Sequence, residues 1–345
     1  MNPFRPALLL ACALALGSLH AATPSTPLES LDATQIQQAL DVLRQQQVSA
    51  GMLDETGMAR ATLSGVLEAL QPGAALLAAA KAPAGASPFR SEVLSGGIGY
   101  VRPGSLQSEN LALLDAALDD FTAKKVTGVV IDLRSTPESP DYALAAEFAS
   151  RFVPAATPLF FLSSRDGQPA EEFAATGPTR FSGVLAIVAD EETAGAAEAL
   201  AAALRLKADA MLVGAKSSGR AVVFETVPLG TGPILELAVA EVRLEGGGRI
   251  YPDGLTPDLP VPQNRGEREE ALAGELTHGV APFVFEEQRA QLNEAALVAG
   301  TNPEIDTEAR EEILLDRPLQ RAVDLATAIS LFRHKDQLPR NPRSN

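Results

Sequence analysis

Short apolar runs and amphipathic stretches alternate along the chain from about residue 95 to residue 262. Residues 126–134 and 184–190 are continuous runs rich in Val and Ile, a pattern typical of buried strands. Residues 110–125 and the alanine-rich stretch after Thr193 repeat apolar residues at helical spacing instead. Because strands alternate with helices, this pattern predicts an α/β domain with a largely parallel sheet.

The segment before this domain, residues 22–90, has a helical pattern. Asp32 and Gln35 have the spacing of a capping box, in which each side chain bonds the other residue's backbone N–H. A second helical pattern ends at residues 71–73, where Gln-Pro-Gly interrupts it, and the composition of residues 81–89 is that of a linker. We therefore expect a small helical module followed by a connection to the core.

From residue 263 the chain becomes polar and helical again. Asp316-Arg317-Pro318 has the sequence of a helix start, and the tail after residue 334 is expected to be disordered. The apolar face of this final helix consists of Leu319, Val323, Ala326 and Ile329. The chain is accordingly divided into a leader (1–21), an N-terminal helical segment with linker (22–90), a core (91–262) and a C-terminal helical extension (263–345).

The leader has the features of a secretory signal peptide. Arg5 precedes the apolar run of residues 6–19, which is too short to span a membrane, and residues 19–21 (LHA) resemble a cleavage site. The single cysteine, Cys12, lies inside this run, and lipidation there is not expected. The sequence predicts an exported protein, periplasmic or extracellular, with no stable membrane span and no disulfide after cleavage.

Charge and composition exclude several classes of function. The formal net charge is −16, which disfavours nucleic-acid binding because phosphate repels such a surface. Only His278 and His334 remain after the leader, so neither a histidine-rich metal site nor another cofactor is expected. Residues 214–221 (GAKSSGRA) superficially match a phosphate loop, but Arg220 replaces its lysine and a β-branched run follows instead of a helix.

Four segments, in order, resemble the motifs of the tail-specific (C-terminal processing) serine peptidases. In that family a hydrophobic strand ends in DLRxNPGG, the nucleophile follows a second strand, a glycine-rich loop carries the catalytic lysine, and a G-[IL]-x-P-D motif closes the core. The corresponding segments here are GVVIDLRSTPESP (128–140), VLAIVADEETAGAAEAL (184–200), LVGAKSSGRAVVFETVPL (212–229) and GGGRIYPDGLTPDLPV (246–261). The resemblance implies an α/β core of the ClpP/crotonase-like type, flanked by the N- and C-terminal helical segments.

The same resemblance implies that the catalytic set is degenerate. The serine position falls on Gly195 and the lysine position on Arg220, whose guanidinium cannot act as a base. The glutamine position falls on Phe224. Of the two oxyanion N–H donors, one falls on Ala196 and the other on Glu138, whose carboxylate would repel an oxyanion.

Pro137 and Glu198 match the family motifs. Arg220 is expected to pair with Glu138 or Glu198, and the alternative is that these three residues contact a ligand such as a peptide carboxylate. The peptide-binding PDZ domain usual in the family has no room in residues 71–94.

Three functions stay open at this point. The favoured one is a pseudopeptidase that binds a polypeptide segment or a protein partner, with extended peptide adding to a sheet edge. The second is a working serine peptidase with a displaced Ser/Lys set drawn from Lys216, Ser217 and Ser218. The third is a structural subunit beside an active paralogue, and in each case the helical flanks could support oligomerisation.

Overall fold

The computed structural model describes residues 31–46, 54–78, 88–165, 167, 169–285 and 315–336. The predicted leader with Cys12, most of the predicted linker and the end of the predicted tail lie outside these residues. The chain divides into two compact units, Met1–Val66 and Leu67–Asn345. None of the helices among the described residues has the length and apolar character needed to cross a bilayer.

The N-terminal helices form where the sequence predicts them. They are α1 (Ala33–Gln46) and α2 (Glu55–Ala69). The capping box before α1 is confirmed, since the Gln35 backbone N–H donates to Asp32 Oδ1 at 2.8 Å and the Asp32 N–H donates to Gln35 Oε1 at 2.9 Å. These bonds satisfy N–H groups that the first turn of a helix otherwise leaves without partners.

The remaining described helices belong to the second unit. They are α3 (Ser108–Ala123), α4 (Tyr142–Ala149), α5 (Ala196–Lys207), α6 (Arg265–His278), α7 (Ala281–Val284) and α8 (Arg317–Asp336).

The strands of this unit form two sheets. They are β1 (Ala74–Leu77), β2 (Arg90–Leu94), β3 (Ile98–Arg102), β4 (Gly128–Asp132), β5 (Pro158–Ser164), β6 (Pro169–Ala174), β7 (Val184–Ala189), β8 (Met211–Gly214), β9 (Val222–Pro228), β10 (Ile234–Leu244) and β11 (Leu259–Pro260).

The first sheet is the largely parallel sheet that the sequence predicts. Its order is β11-β8-β7-β4-β3-β2, and every neighbouring pair is parallel except β2 with β3. One face is covered by α3, α4 and α5 through side chains such as Leu118, Phe148 and Leu200. The other face is covered by α7 and α8, where Leu319 and Val323 are buried as predicted. Burial on both faces explains why these strands are continuously apolar.

The second sheet is antiparallel, and the sequence analysis did not predict it. Its order is β1-β10-β5-β6, with β9 also paired to β10. It includes β1, which lies inside the segment interpreted as helix and linker. A run of four apolar residues is too short to show the periodicity of either a helix or a strand. The conformation of β1 is therefore decided by its pairing with Ile234–Leu237 of β10.

Candidate functional site

The corner between β7 and α5 is built by one carboxylate. Asp190 Oδ1 accepts the backbone N–H of Glu192 at 3.1 Å, the N–H of Thr193 at 3.0 Å and the Thr193 hydroxyl at 3.1 Å. Burial raises the pKa of Asp190, and the Arg268 guanidinium opposes that rise. The turn thereby brings the chain from the sheet into the first residue of the helix, Ala196.

Gly195 occupies the point of this corner with φ 59° and ψ −125°. Residues with a Cβ atom rarely adopt a positive φ of this kind, and strained strand-to-helix turns are where nucleophiles of several hydrolases sit. A Cβ added here would lie 2.7 Å from the carbonyl oxygen of Ser139 and 3.5 Å from Cγ of Glu138. Segment 138–139 therefore fills the space that a side chain at position 195 would need.

The same segment engages the neighbouring backbone donor. The Ala196 N–H, which the family resemblance assigns to the oxyanion hole, donates to the Ser139 carbonyl oxygen at 2.9 Å. A donor that already has a protein acceptor must lose it before it can stabilise an oxyanion. In this structure, segment 138–139 therefore occupies the space and the N–H donor that a substrate carbonyl would need at this corner.

Arg220 lies beside segment 138–139 and is surrounded by hydrogen-bond acceptors. Its Nε donates to Glu138 Oε1 at 2.8 Å, its Nη2 to Glu236 Oε2 at 3.2 Å and its Nη1 to the Pro72 carbonyl oxygen at 3.1 Å. The guanidinium carbon lies 4.2 Å from the centre of the Phe224 ring, within cation–π distance. Burial lowers the pKa of Arg220, but the bonds to the two glutamates outweigh it and raise the pKa overall, so the group stays charged.

Of the two carboxylates expected to pair with Arg220, Glu138 does so, and Glu198 lies instead against the loop between β8 and β9. Its Oε1 accepts from the Ser217 hydroxyl at 2.5 Å and the Gly219 N–H at 2.8 Å, and its Oε2 accepts from the Arg220 N–H at 2.8 Å and the Ser218 hydroxyl at 3.3 Å. Burial raises its pKa, and these four bonds oppose the rise. Glu198 thus anchors the loop between β8 and β9 to α5, and its contact with Arg220 is through the backbone.

The residues of the alternative Ser/Lys set are brought near each other but not into a catalytic arrangement. The Ser217 hydroxyl is buried, donates to Glu198 and accepts the Leu255 N–H at 2.7 Å. Lys216 is exposed, and among the hydrogen bonds of the described residues its ammonium group makes none with Ser217 or Ser218. A base must lie within hydrogen-bond reach of the proton it removes.

Sequence reasoning missed three members of this site. Glu236 lies in the apolar run of β10, Pro72 follows α2, and Tyr142 opens α4. The Tyr142 hydroxyl donates to the Val222 carbonyl oxygen at 2.8 Å, and burial, followed by the charges of Glu198 and Glu138, raises its pKa. A glutamate among apolar residues at the start of β10 was the only local signal, since the other contacts depend on tertiary structure.

Comparison with known proteins agrees with the resemblance in the sequence. Residues 97–261 match Peptidase family S41. A carboxy-terminal processing protease of Bacillus subtilis is 26% identical over 166 residues, which cover 48% of this chain and 34% of that protein. A carboxy-terminal-processing protease of Bartonella bacilliformis is 28% identical over 235 residues, which cover 59% of this chain and 52% of that protein.

A solved structure supports the fold. A candidate peptidase from Parabacteroides merdae superposes with a TM-score of 0.53 at 16% identity, covering 72% of this chain and 90% of that one. The matched segments span about a third to a half of the length of the two proteases named above. Residues 97–261 of this chain are therefore similar to peptidase family S41, and the described residues have an α/β peptidase fold.

Proposed function

We propose that this chain is an exported pseudopeptidase, which has the S41 fold and binds a polypeptide segment or protein partner without cleaving it. The corner at Gly195 carries the proposal. The residue in the nucleophile position has no side chain, and loss of the serine alone costs on the order of 10⁶ in rate in a well-studied serine peptidase. The Ala196 N–H, the second element of that corner, is already bonded to Ser139.

The groups around the corner support the same conclusion. Arg220 remains charged between Glu138 and Glu236 and cannot accept a proton. The Glu138 carboxylate, beside one of the family's oxyanion-donor positions, is bonded to Arg220. The base position is thus changed together with the nucleophile position.

An extended peptide would add to β9. Among the strands described, β9 pairs with β10 alone, and it begins two residues after Arg220. An edge strand presents unpaired N–H and C=O groups that another chain can bind. Export rests on the predicted leader of residues 1–21.

The first test measures cleavage and binding on the same preparation of the chain. We expect no hydrolysis of unfolded casein and no covalent labelling by a fluorophosphonate probe. We expect saturable, stoichiometric binding of fluorescein-labelled casein peptides, measured by anisotropy. Binding without turnover would support a pseudopeptidase, and the absence of both would contradict it.

Two matched variants locate the binding edge. Val227 on β9 and Val239 on β10 are both 38% exposed, but only β9 is an edge strand. Val227→Lys is expected to weaken peptide binding, because edge lysines oppose strand addition, whereas Val239→Lys is expected to leave it unchanged. Equal effects of the two variants would exclude β9 as the edge.

The alternative is an active serine endopeptidase that uses Ser217 or Ser218. If the chain cleaves casein and Ser218→Ala or Ser217→Ala abolishes the cleavage, the catalytic set has moved and the pseudopeptidase proposal is wrong.

A further inference from the structure

A buried charge cluster lies where the carboxyl ends of β3 and β4 meet α6 and the start of α8. The cluster consists of Arg102, Asp132, Arg134, Glu275 and Asp316, all nearly or fully buried. Arg134 is fully paired in it. It donates to both oxygens of Asp132, at 2.9 and 2.8 Å, and to both oxygens of Asp316, at 2.9 and 2.7 Å.

The other half of the cluster is under-satisfied. Arg102 Nη2 donates to the Glu275 carboxylate and, at 3.4 Å, to Asp132. Arg102 Nε and Glu275 Oε1 are both buried and have no hydrogen-bond partner among the described residues. Two guanidinium groups thus face three carboxylates, and an unpaired buried charge is costly.

Glu275 is the member that can relieve this imbalance by taking up a proton. Burial raises its pKa to about 7; the Arg102 charge opposes the rise, and the Asp132 charge adds to it. The ionisable groups around the Glu275 carboxyl are Tyr100 and Arg102 from β3, Asp132 and Arg134 from β4 and the residues after it, and Asp316 before α8. Arg90 from β2 donates to the Glu275 backbone carbonyl oxygen. The pKa of Asp132 is lowered instead, because the charge and hydrogen bonds of Arg134 outweigh the effect of burial.

The helix that carries Glu275 also braces the corner of the candidate site. Arg268 lies about two turns earlier on α6. Its Nη1 donates to Asp190 Oδ2 at 2.7 Å, and its Nη2 lies 2.8 Å from Glu192 Oε1. Asp190 shapes the turn before Gly195 through its other oxygen, so the position of α6 bears directly on the corner.

We propose that α6 is a pH-responsive brace of the candidate site, a helix whose packing holds residues 190–196 in place. Ionisation of Glu275 weakens the packing of α6 against the core and, through the contact of Arg268 with Asp190, increases the mobility of residues 190–196. The brace is engaged in mildly acidic surroundings, where Glu275 is protonated and the cluster is neutral. It is weakened above neutral pH, where a third buried carboxylate is ionised. An effect of this helix on peptide binding rests on the proposed function, but the coupling between Glu275 and residues 190–196 does not.

Amide hydrogen exchange of the full chain without peptide tests the coupling. Rates at pH 5.5 and pH 8, corrected for intrinsic exchange, are compared for peptides from α6 and from residues 190–196. A carboxyl with a pKa of about 7 in the docked helix and 4.5 after opening gives up to about a thirtyfold increase in the opening equilibrium over this range. We expect both regions to show the increase together.

Two variants of α6 separate this brace from general pH effects. Glu275→Gln keeps the shape of the side chain without its charge, and is expected to abolish the increase in both regions. Glu270→Gln removes an exposed carboxylate from the same helix and is expected to retain it. A Glu275→Gln chain that keeps the pH response, or that is less stable than the natural chain at pH 8, overturns the proposal.

A third variant tests the path to the corner. Arg268→Gln is expected to leave the pH response of α6 in place while residues 190–196 exchange rapidly at both pH values. If residues 190–196 still follow the pH response of α6 in that variant, Arg268 is not the link. If hydrogen exchange shows no coupling, the peptide-binding proposal is unaffected. If the chain binds no peptide, the exchange result still stands, so the two proposals can be refuted separately.

Discussion

A methyl group added at Gly195 would meet the polypeptide backbone instead of a movable side chain. In Gly195→Ala the new Cβ would lie 2.7 Å from the Ser139 carbonyl oxygen, closer than real Cβ contacts, at a positive φ of 59°. A residue held in such a backbone region costs about 1–3 kcal/mol, and overpacking against fixed atoms costs typically about 1–3 kcal/mol more. We expect the free energy of unfolding to fall by about 2–6 kcal/mol, a large share of the stability of a typical domain.

Urea unfolding followed by far-ultraviolet circular dichroism measures this loss. Gly177→Ala is the matched control, because Gly177 also has a positive φ, 78°, but no atom lies within 4 Å of its added Cβ. It is expected to lose only about 1 kcal/mol from backbone strain. Equal losses in the two variants would show that the Ser139 carbonyl is no obstacle at position 195.

The same obstruction bears on restoring activity. A Gly195→Ser/Arg220→Lys/Glu138→Gly chain has the family's residues at three positions, but its serine needs the space that Ser139 fills. We therefore expect little or no casein hydrolysis from it.

Three further predictions concern single side chains. Glu198→Gln places an amide N–H₂ group against two of the four donors and is expected to lower the free energy of unfolding by about 2–3 kcal/mol in urea melts; no loss would mean that Glu198 does not anchor the loop. Arg220→Lys loses the forked contacts and the stacking on Phe224, and is expected to cost about 1–2 kcal/mol in thermal melts without any gain in hydrolysis; detectable hydrolysis would refute this reading. The folded-state pKa of Glu275, about 7, lies above its unfolded value of 4.5, so its contribution is fully present below pH 4.5 and is lost as the pH rises through 7. Stability should fall by up to about 3 kcal/mol across that window, and Glu275→Gln should remove this fall in melts recorded from pH 4.5 to pH 8.

Local patterns in the sequence predicted much of the core. Continuous apolar runs gave β4 and β7, helical spacing gave α3 and α5, and the reciprocal pair Asp32–Gln35 gave the start of α1. These features depend on residues a few positions apart, so each could be predicted before any tertiary contact was known. The assignment of Gly195 to the nucleophile position was implied by the family resemblance.

The antiparallel sheet and the partners of the site residues were decided by tertiary structure. Arg220 bonds Pro72, 148 residues away, and Glu236, and neither contact has a local signature. Arg220 was expected to pair with Glu138 or Glu198, and only the tertiary structure decided for Glu138, because α5 places Glu198 against the backbone N–H groups and hydroxyls of the loop before β9. Sequence periodicity determines which face of an element is buried, whereas the partners across that face depend on how distant elements pack together.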